Sequence, residues 1–128
     1  MKYFLAKTDP ETYSIDMLER EGQTVWDGVR NPQALRAIRE MRLGDRVFIY
    51  HSMGNAAIVG LARVVSEPHP DPEVAFLMKL EPPTTLREIK DSKLFDDWSL
   101  VRQGRLSTMA APPAFVEWMR KRYRGKKI

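Results

Sequence analysis

The chain has no cysteine, which excludes disulfides and thiolate metal centres and fits a reducing compartment. Its two histidines, His51 and His69, are too few for a histidine-based metal site. No apolar run approaches the ~20 residues of a membrane helix. The opening Met1-Lys2-Tyr3-Phe4-Leu5-Ala6 begins like a secretory leader, but Lys7, Asp9 and Pro10 end its apolar run too early. A cytosolic protein is expected, or a nuclear one in a eukaryote, with no membrane partner. Familiar catalytic and nucleotide motifs are also missing: there is no GxGxxG, Walker loop, HExxH or GxSxG. His51 and Ser52 are adjacent, but neighbours along a strand point to opposite faces and make a poor base–nucleophile pair. No enzyme activity, cofactor or metal is expected.

What is present suits a folded domain. The 128 residues are 43% hydrophobic, enough for one domain over residues 1–128 with a real core. The net charge is +4, but its distribution is uneven. Arg120, Lys121, Arg122, Arg124, Lys126 and Lys127 hold six of the 21 basic residues, so the remaining 15 face 17 acidic residues and the body carries −2. A basic tail over residues 120–128 suits phosphate contacts, and equally suits the negative end of a helix dipole.

Short elements follow one another along the chain. Residues 2–6 read as a buried strand. Ser14 reads as a helix N-cap, with Tyr13 and Leu18 as a staple across it, and Gly22 ends that helix. Residues 23–26 form a short strand. Asn31-Pro32 opens a helix whose buried stripe is Ala34, Leu35, Ile38 and Met41, and Gly44-Asp45 turns the chain after it. Residues 46–51 and 57–65 read as paired strands, with Gly60 marking a bulge or bend. Pro68, Pro70 and Pro72 make a stiff connector to a strand over residues 74–80. Thr85-Leu86-Arg87-Glu88 has capping-box spacing, residues 99–107 are mixed, and Pro112-Pro113 starts a last helix. Short curved strands with short helices predict an α+β fold around a small barrel-like sheet rather than a doubly wound one.

Three segments carry possible chemistry. Trp26 offers a flat face, Gly28 allows close backbone approach, Arg30 can grip phosphate or stack, and Asn31 can cap the next helix. Taken alone, a core tryptophan and a plain cap explain them better. Tyr50-His51-Ser52 closes a strand at a loop, where binding groups often sit, though a solvated strand end explains it too. Arg102-Gln103-Gly104-Arg105-Leu106-Ser107 adds two cations, or merely a solvated face with a turn at Gly104.

Together with Lys7-Thr8-Asp9-Pro10, Tyr13-Ser14-Ile15-Asp16, Gly44-Asp45 and Leu100-Val101, these segments occur in the order seen in EVE domains. The chain resembles that family, which belongs to the PUA-like superfamily, over nearly its whole length. The resemblance implies a PUA-like pseudo-barrel of mostly antiparallel strands with flanking short helices. It also implies a nucleic-acid-binding module whose pocket takes a flipped-out, modified base of DNA or RNA, such as a modified cytosine. By position, Trp26, Val29, Arg30 and Asn31 would form one wall, and Tyr50, His51 and Ser52 a second. Lys7, Arg105 and Ser107 would lie at the mouth or on phosphate. Many EVE domains carry a long loop where Pro70-Asp71-Pro72 here runs almost directly into residues 74–80, which implies a more open pocket. Two rivals remain: a hydrolase like the related ASCH domains, using Lys7, Thr8 and Asp9, and a protein-interaction module using an exposed face of Phe115, Trp118 and Tyr123.

Overall fold

A computed structural model describes residues 1–67 and 71–128. The chain runs β1 (Tyr3–Thr8), α1 (Ile15–Glu21), β2 (Gln23–Val25), α2 (Pro32–Glu40), β3 (Arg46–His51) and β4 (Ala57–Val64). It continues through β5 (Glu73–Thr85), α3 (Leu86–Ser92), α4 (Ser99–Arg102), β6 (Thr108–Ala110) and α5 (Pro113–Arg122). The described strands form one six-stranded sheet in the order β2-β5-β4-β3-β1-β6. Every described pairing is antiparallel except β1 with β3. This is the half-barrel with flanking short helices that the resemblance implied. Among the described residues, no helix is long and apolar enough to cross a membrane.

Both sheet faces are covered, which is why β1 and β3 read as unbroken apolar runs. Side chains alternate between faces along a strand. Tyr3, Leu5, Phe48 and Tyr50 therefore enter one core, with Ile89 of α3, Leu100 of α4 and Phe115 of α5. Phe4, Ala6, Val47 and Ile49 enter the other, with Ile15 and Leu18 of α1 and Ile38 of α2.

Local signals formed as the sequence predicts. Ser14 accepts a hydrogen bond from the Met17 N–H, and the Gly22 N–H returns to the Leu18 carbonyl. Thr85 and Glu88 complete a reciprocal capping box. At Gly60 the β4–β5 register shifts, and an added Cβ would sit 2.4 Å from Ile15 Cδ1 and 3.0 Å from the Met78 carbonyl oxygen. The missing side chain is what lets α1 lie directly on the sheet.

Three expectations change. The strand expected over residues 74–80 extends to Thr85 across Pro82-Pro83. Between the pairs Gly60↔Lys79 and Ile58↔Thr84, β4 moves two residues and β5 moves five, so the prolines sit in a bulge that needs no ladder donor. Residues 99–107 begin with a helical turn, α4, which buries Leu100. Finally, two of the three aromatic residues expected on an exposed face of the last helix are buried, and Trp118 is half-buried against the same core. Phe115 is fully buried, with ring centroids 4.5 Å from Trp98, 5.2 Å from Phe95 and 5.6 Å from Phe48. Tyr123 is buried too: it donates to the Pro82 carbonyl at 2.5 Å and accepts from Thr84 Oγ1 at 2.6 Å. That face builds the core, which removes the observation an interaction module needed. Of the expected connector, Pro68 and Pro70 lie outside the described residues, as does His69.

Replacing Gly60 by alanine should destabilise the fold by about 1–3 kcal/mol, because Ile15 and the Met78 backbone must move. Urea unfolding of the two proteins measures this, and an unchanged midpoint contradicts the close approach.

Candidate functional site

Parallel pairing brings the C-terminal ends of β1 and β3 to one level, with Lys7 opposite Tyr50 and Thr8 opposite His51. Beyond β1 the chain turns tightly: the Asp9 carbonyl accepts from the N–H groups of Thr12 (3.0 Å) and Tyr13 (2.8 Å). Thr8 Oγ1 donates to the Tyr13 carbonyl at 2.8 Å, which draws the turn over the strand end. The Tyr13 ring then meets Trp26 edge to face, with centroids 6.2 Å apart and planes at 85°. Trp26 directly follows β2, and its N–H donates to the Pro72 carbonyl at 2.7 Å, extending the pairing with the β5 side. Gly28 has φ +81°, a left-handed conformation with open space around it, so its backbone angle rather than crowding calls for glycine. The chain thereby reaches Asn31, whose Oδ1 accepts from the N–H groups of Gln33 (2.8 Å) and Ala34 (3.1 Å) and fixes the start of α2.

These segments enclose a cleft of about 510 Å³. Its lining comes from three segments of the chain and one loop residue: Lys7 and Thr8 of β1, Thr12 and Tyr13 of the following turn, residues 24–30 including Thr24, Trp26, Asp27, Val29 and Arg30, and Ser107. Trp26 and Val29 are half-buried, packed from behind by the α1–α2 core, while Asp27 and Arg30 are exposed. Lys7 is half-buried. Its Nζ donates to the Gly104 carbonyl at 2.9 Å and lies 5.4 Å from the centre of the Tyr50 ring, and its backbone N–H donates to the Ser107 carbonyl at 2.8 Å. Burial pulls the Lys7 ammonium below its ordinary pKa. An apolar ring face, several hydroxyls and two cations thus converge on one concavity, a combination suited to a planar polar ligand carrying an anion.

Five expected site residues line this cleft: Lys7, Trp26, Val29, Arg30 and Ser107. The other five do not. Asn31 is exposed and uses its side-chain oxygen on the helix start. Tyr50 is buried in the core beneath Lys7, because it shares a sheet face with Phe48. His51 Nε2 accepts from the Ile15 N–H at 3.0 Å, and so holds the start of α1. Ser52 donates to the Thr8 carbonyl twice, from its N–H at 2.9 Å and its Oγ at 3.2 Å. The expected second wall is therefore the framework behind the cleft. Arg105 is exposed on the loop between Gly104, which accepts from Lys7, and Ser107, which lines the cleft. Residue-by-residue reading missed Thr8, Thr12, Tyr13 and Thr24 as lining residues. Thr8 and Tyr13 already stood in the motif segments at residues 7–10 and 13–16, so the signal was there.

Two further expectations take a definite form. The hydrolase trio is directed apart: Lys7 to the Gly104 carbonyl, Thr8 to the Tyr13 carbonyl, and Asp9 Oδ1 to the Glu11 N–H at 2.9 Å. The basic tail is only partly free. Arg120 pairs with Glu117, Arg122 lies 2.6 Å from Glu88, and Arg120 Nε donates to the Ile128 carbonyl at 3.1 Å. Lys121, Arg124, Lys126 and Lys127 remain exposed.

The family model of the EVE domain matches residues 2–122 of the chain. Thymocyte nuclear protein 1 of Rattus norvegicus is 41% identical over 81 residues, covering 54% of this chain and 36% of that protein. Its Homo sapiens counterpart is 38% identical over a stretch of the same length. The chain thus spans about a third of the length of these curated relatives. Among solved structures, a Rhodopseudomonas palustris protein determined by NMR superposes with a TM-score of 0.90 at 28% identity, covering 100% of this chain and 97% of that one. Human THYN1 in complex with 5-methylcytosine-containing DNA superposes at 0.87 with 23% identity, covering 99% and 100%, a likeness of fold.

Two variants test the framework. Replacing Asn31 by alanine should cost about 1 kcal/mol through the lost cap, read by thermal or urea unfolding. Burial holds the His51 imidazole below its ordinary pKa of 6.5, although Asp16 opposes the shift. The unfolded chain therefore takes up this proton first, so stability should fall as pH drops through the ordinary imidazole value towards the lower folded one. Melting midpoints between about pH 7.5 and about pH 5.5 should drop for the wild type and drop less for His51→Gln. Identical slopes for the two proteins contradict the assignment.

Proposed function

Because the chain belongs to the EVE domain family, we propose that its cleft takes a single base flipped out of a nucleic-acid strand, a modified cytosine of DNA in the first place. The observation that carries this reading is the half-exposed Trp26 in a cleft that is also lined by the hydroxyl groups of Thr8, Thr24 and Ser107 and by the cations Lys7 and Arg30. A flipped base presents an apolar face to stack and polar edges to hydrogen-bond, and such a cleft offers both. The human THYN1 complex with 5-methylcytosine-containing DNA supports DNA rather than RNA as the ligand.

In this reading Trp26 stacks on the base, and Val29 gives an apolar contact for a substituent. Thr8, Thr24 and Ser107 offer hydroxyls to its edges, while Arg30, Arg105 and Lys7 attract the flanking phosphates. Tyr50, His51, Ser52 and Asn31 act as positioning residues: they fix the strand ends and helix starts on which the contacting groups stand. The reading is of binding without turnover. The separate partners of Lys7, Thr8 and Asp9 support it, since none of these side chains is aimed at another across the cleft.

Trp26→Ala should weaken binding of an oligonucleotide carrying 5-methylcytosine by about 1–3 kcal/mol, roughly 5- to 150-fold in Kd, and should abolish preference over the unmodified strand. Fluorescence polarisation at fixed salt measures this, with circular dichroism confirming the fold. Retained selectivity in the folded variant sinks the assignment.

A further inference from the structure

The other end of the sheet holds a second concavity that the proposed function does not use. Lys2, Arg42, Arg46 and Arg63 border a groove of about 670 Å³ beside the N-terminal end of β1. Arg46 and Arg63 are direct partners in the antiparallel β3–β4 ladder, so their side chains leave the same face side by side. Like charges placed opposite one another destabilise a sheet. No described ion pair of these arginines offsets this. Arg42 donates to the carbonyls of Arg39 (2.8 Å) and Met41 (2.9 Å), Arg46 donates to the Gly44 carbonyl, and none of the ion pairs among the described residues involves Arg42, Arg46 or Arg63.

The two carboxylates that line the groove are engaged with Lys2 and with backbone N–H groups rather than with the guanidinium groups. Asp45 is buried and accepts from the backbone N–H groups of Lys2 (3.1 Å) and Arg42 (2.9 Å). Glu40 lies 3.8 Å from Lys2. Three guanidinium groups thus border one concavity without an ion pair to either of its carboxylates, and guanidinium matches phosphate with two parallel hydrogen bonds.

We propose that this groove binds a backbone phosphate of the same strand whose base occupies the cleft, an inference that rests on the function proposed above. The reach is suitable. Lys2 and Lys7 stand at opposite ends of β1, five residues apart, or roughly 17 Å at the rise of an extended chain. A stacked strand covers that distance in about five nucleotides. A strand that leaves the cleft and follows the direction of β1 therefore reaches the groove after a short run.

The test compares the wild type with Arg42→Gln/Arg63→Gln. Arg63→Gln alone serves if the double variant fails to fold, because Arg63 is exposed and its side chain takes part in none of the described hydrogen bonds or ion pairs. Each protein is titrated with a 5-methylcytosine trinucleotide and with a strand of about twelve nucleotides at several salt concentrations. The trinucleotide should bind both proteins equally. The longer strand should bind the wild type more tightly, and the double variant should lose that advantage, with the salt slope reduced by about 0.7 for one phosphate. An unchanged length advantage and slope overturn the proposal.

A separate titration with pyrophosphate, followed by NMR of the arginine side chains, reads the groove without the cleft. A saturable shift at Arg63 is expected, and its absence overturns the anion site. Pyrophosphate binding without any length effect would mean a free phosphate as ligand and would overturn the backbone assignment. Failure of the trinucleotide to bind the wild type counts against the cleft reading alone.

Discussion

The parallel pairing of β1 with β3 governs the geometry of the cleft, since it ends two buried strands at the same level with Lys7 against Tyr50 and Thr8 against His51. Each of those four residues then holds a different piece of surrounding chain. Lys7 secures the loop at Gly104, Thr8 the turn at Tyr13, and His51 the start of α1, while the Tyr50 ring supports Lys7 from the core. A strand slipped by one residue would send Lys7 to the other face and release all of these contacts together.

This arrangement separates residues that touch the concavity from residues that hold it in shape. Trp26 contacts it, and Asn31 only anchors the helix that follows. Ser52 and Thr8 are bonded to each other through the Thr8 carbonyl, yet only Thr8 lines the cleft. Motif residues of the two kinds stand side by side in the chain because the same backbone must be both shaped and presented. Members of such a support cannot be exchanged freely even when no ligand reaches them: a capping oxygen or an imidazole acceptor left out strands a backbone N–H.

The charge distribution follows a similar logic. A simple count places the excess of cations in the C-terminal tail. The fold draws Arg120 and Arg122 into pairs with Glu117 and Glu88, and leaves Arg42, Arg46 and Arg63 together at the foot of the sheet although they lie apart in sequence. Strand pairing, which the linear order does not display, makes neighbours of residues 46 and 63.

The sequence by itself determined what depends on near neighbours. Ser14, Asn31-Pro32 and the Thr85–Glu88 box start helices through bonds that span two or three residues, and Gly22 and Gly44 turn the chain by their own backbone freedom. The motif order also located the cleft at Trp26 and named half of its expected lining. Tertiary structure decided the rest, because side-chain direction at a strand end depends on register across the sheet. It turned Tyr50 into the core, gave His51 to α1, carried β5 past two prolines through a bulge tied to Tyr123, and buried the aromatic face of α5. Each of these involves a partner more than 25 residues away, and no local pattern encodes such a pairing.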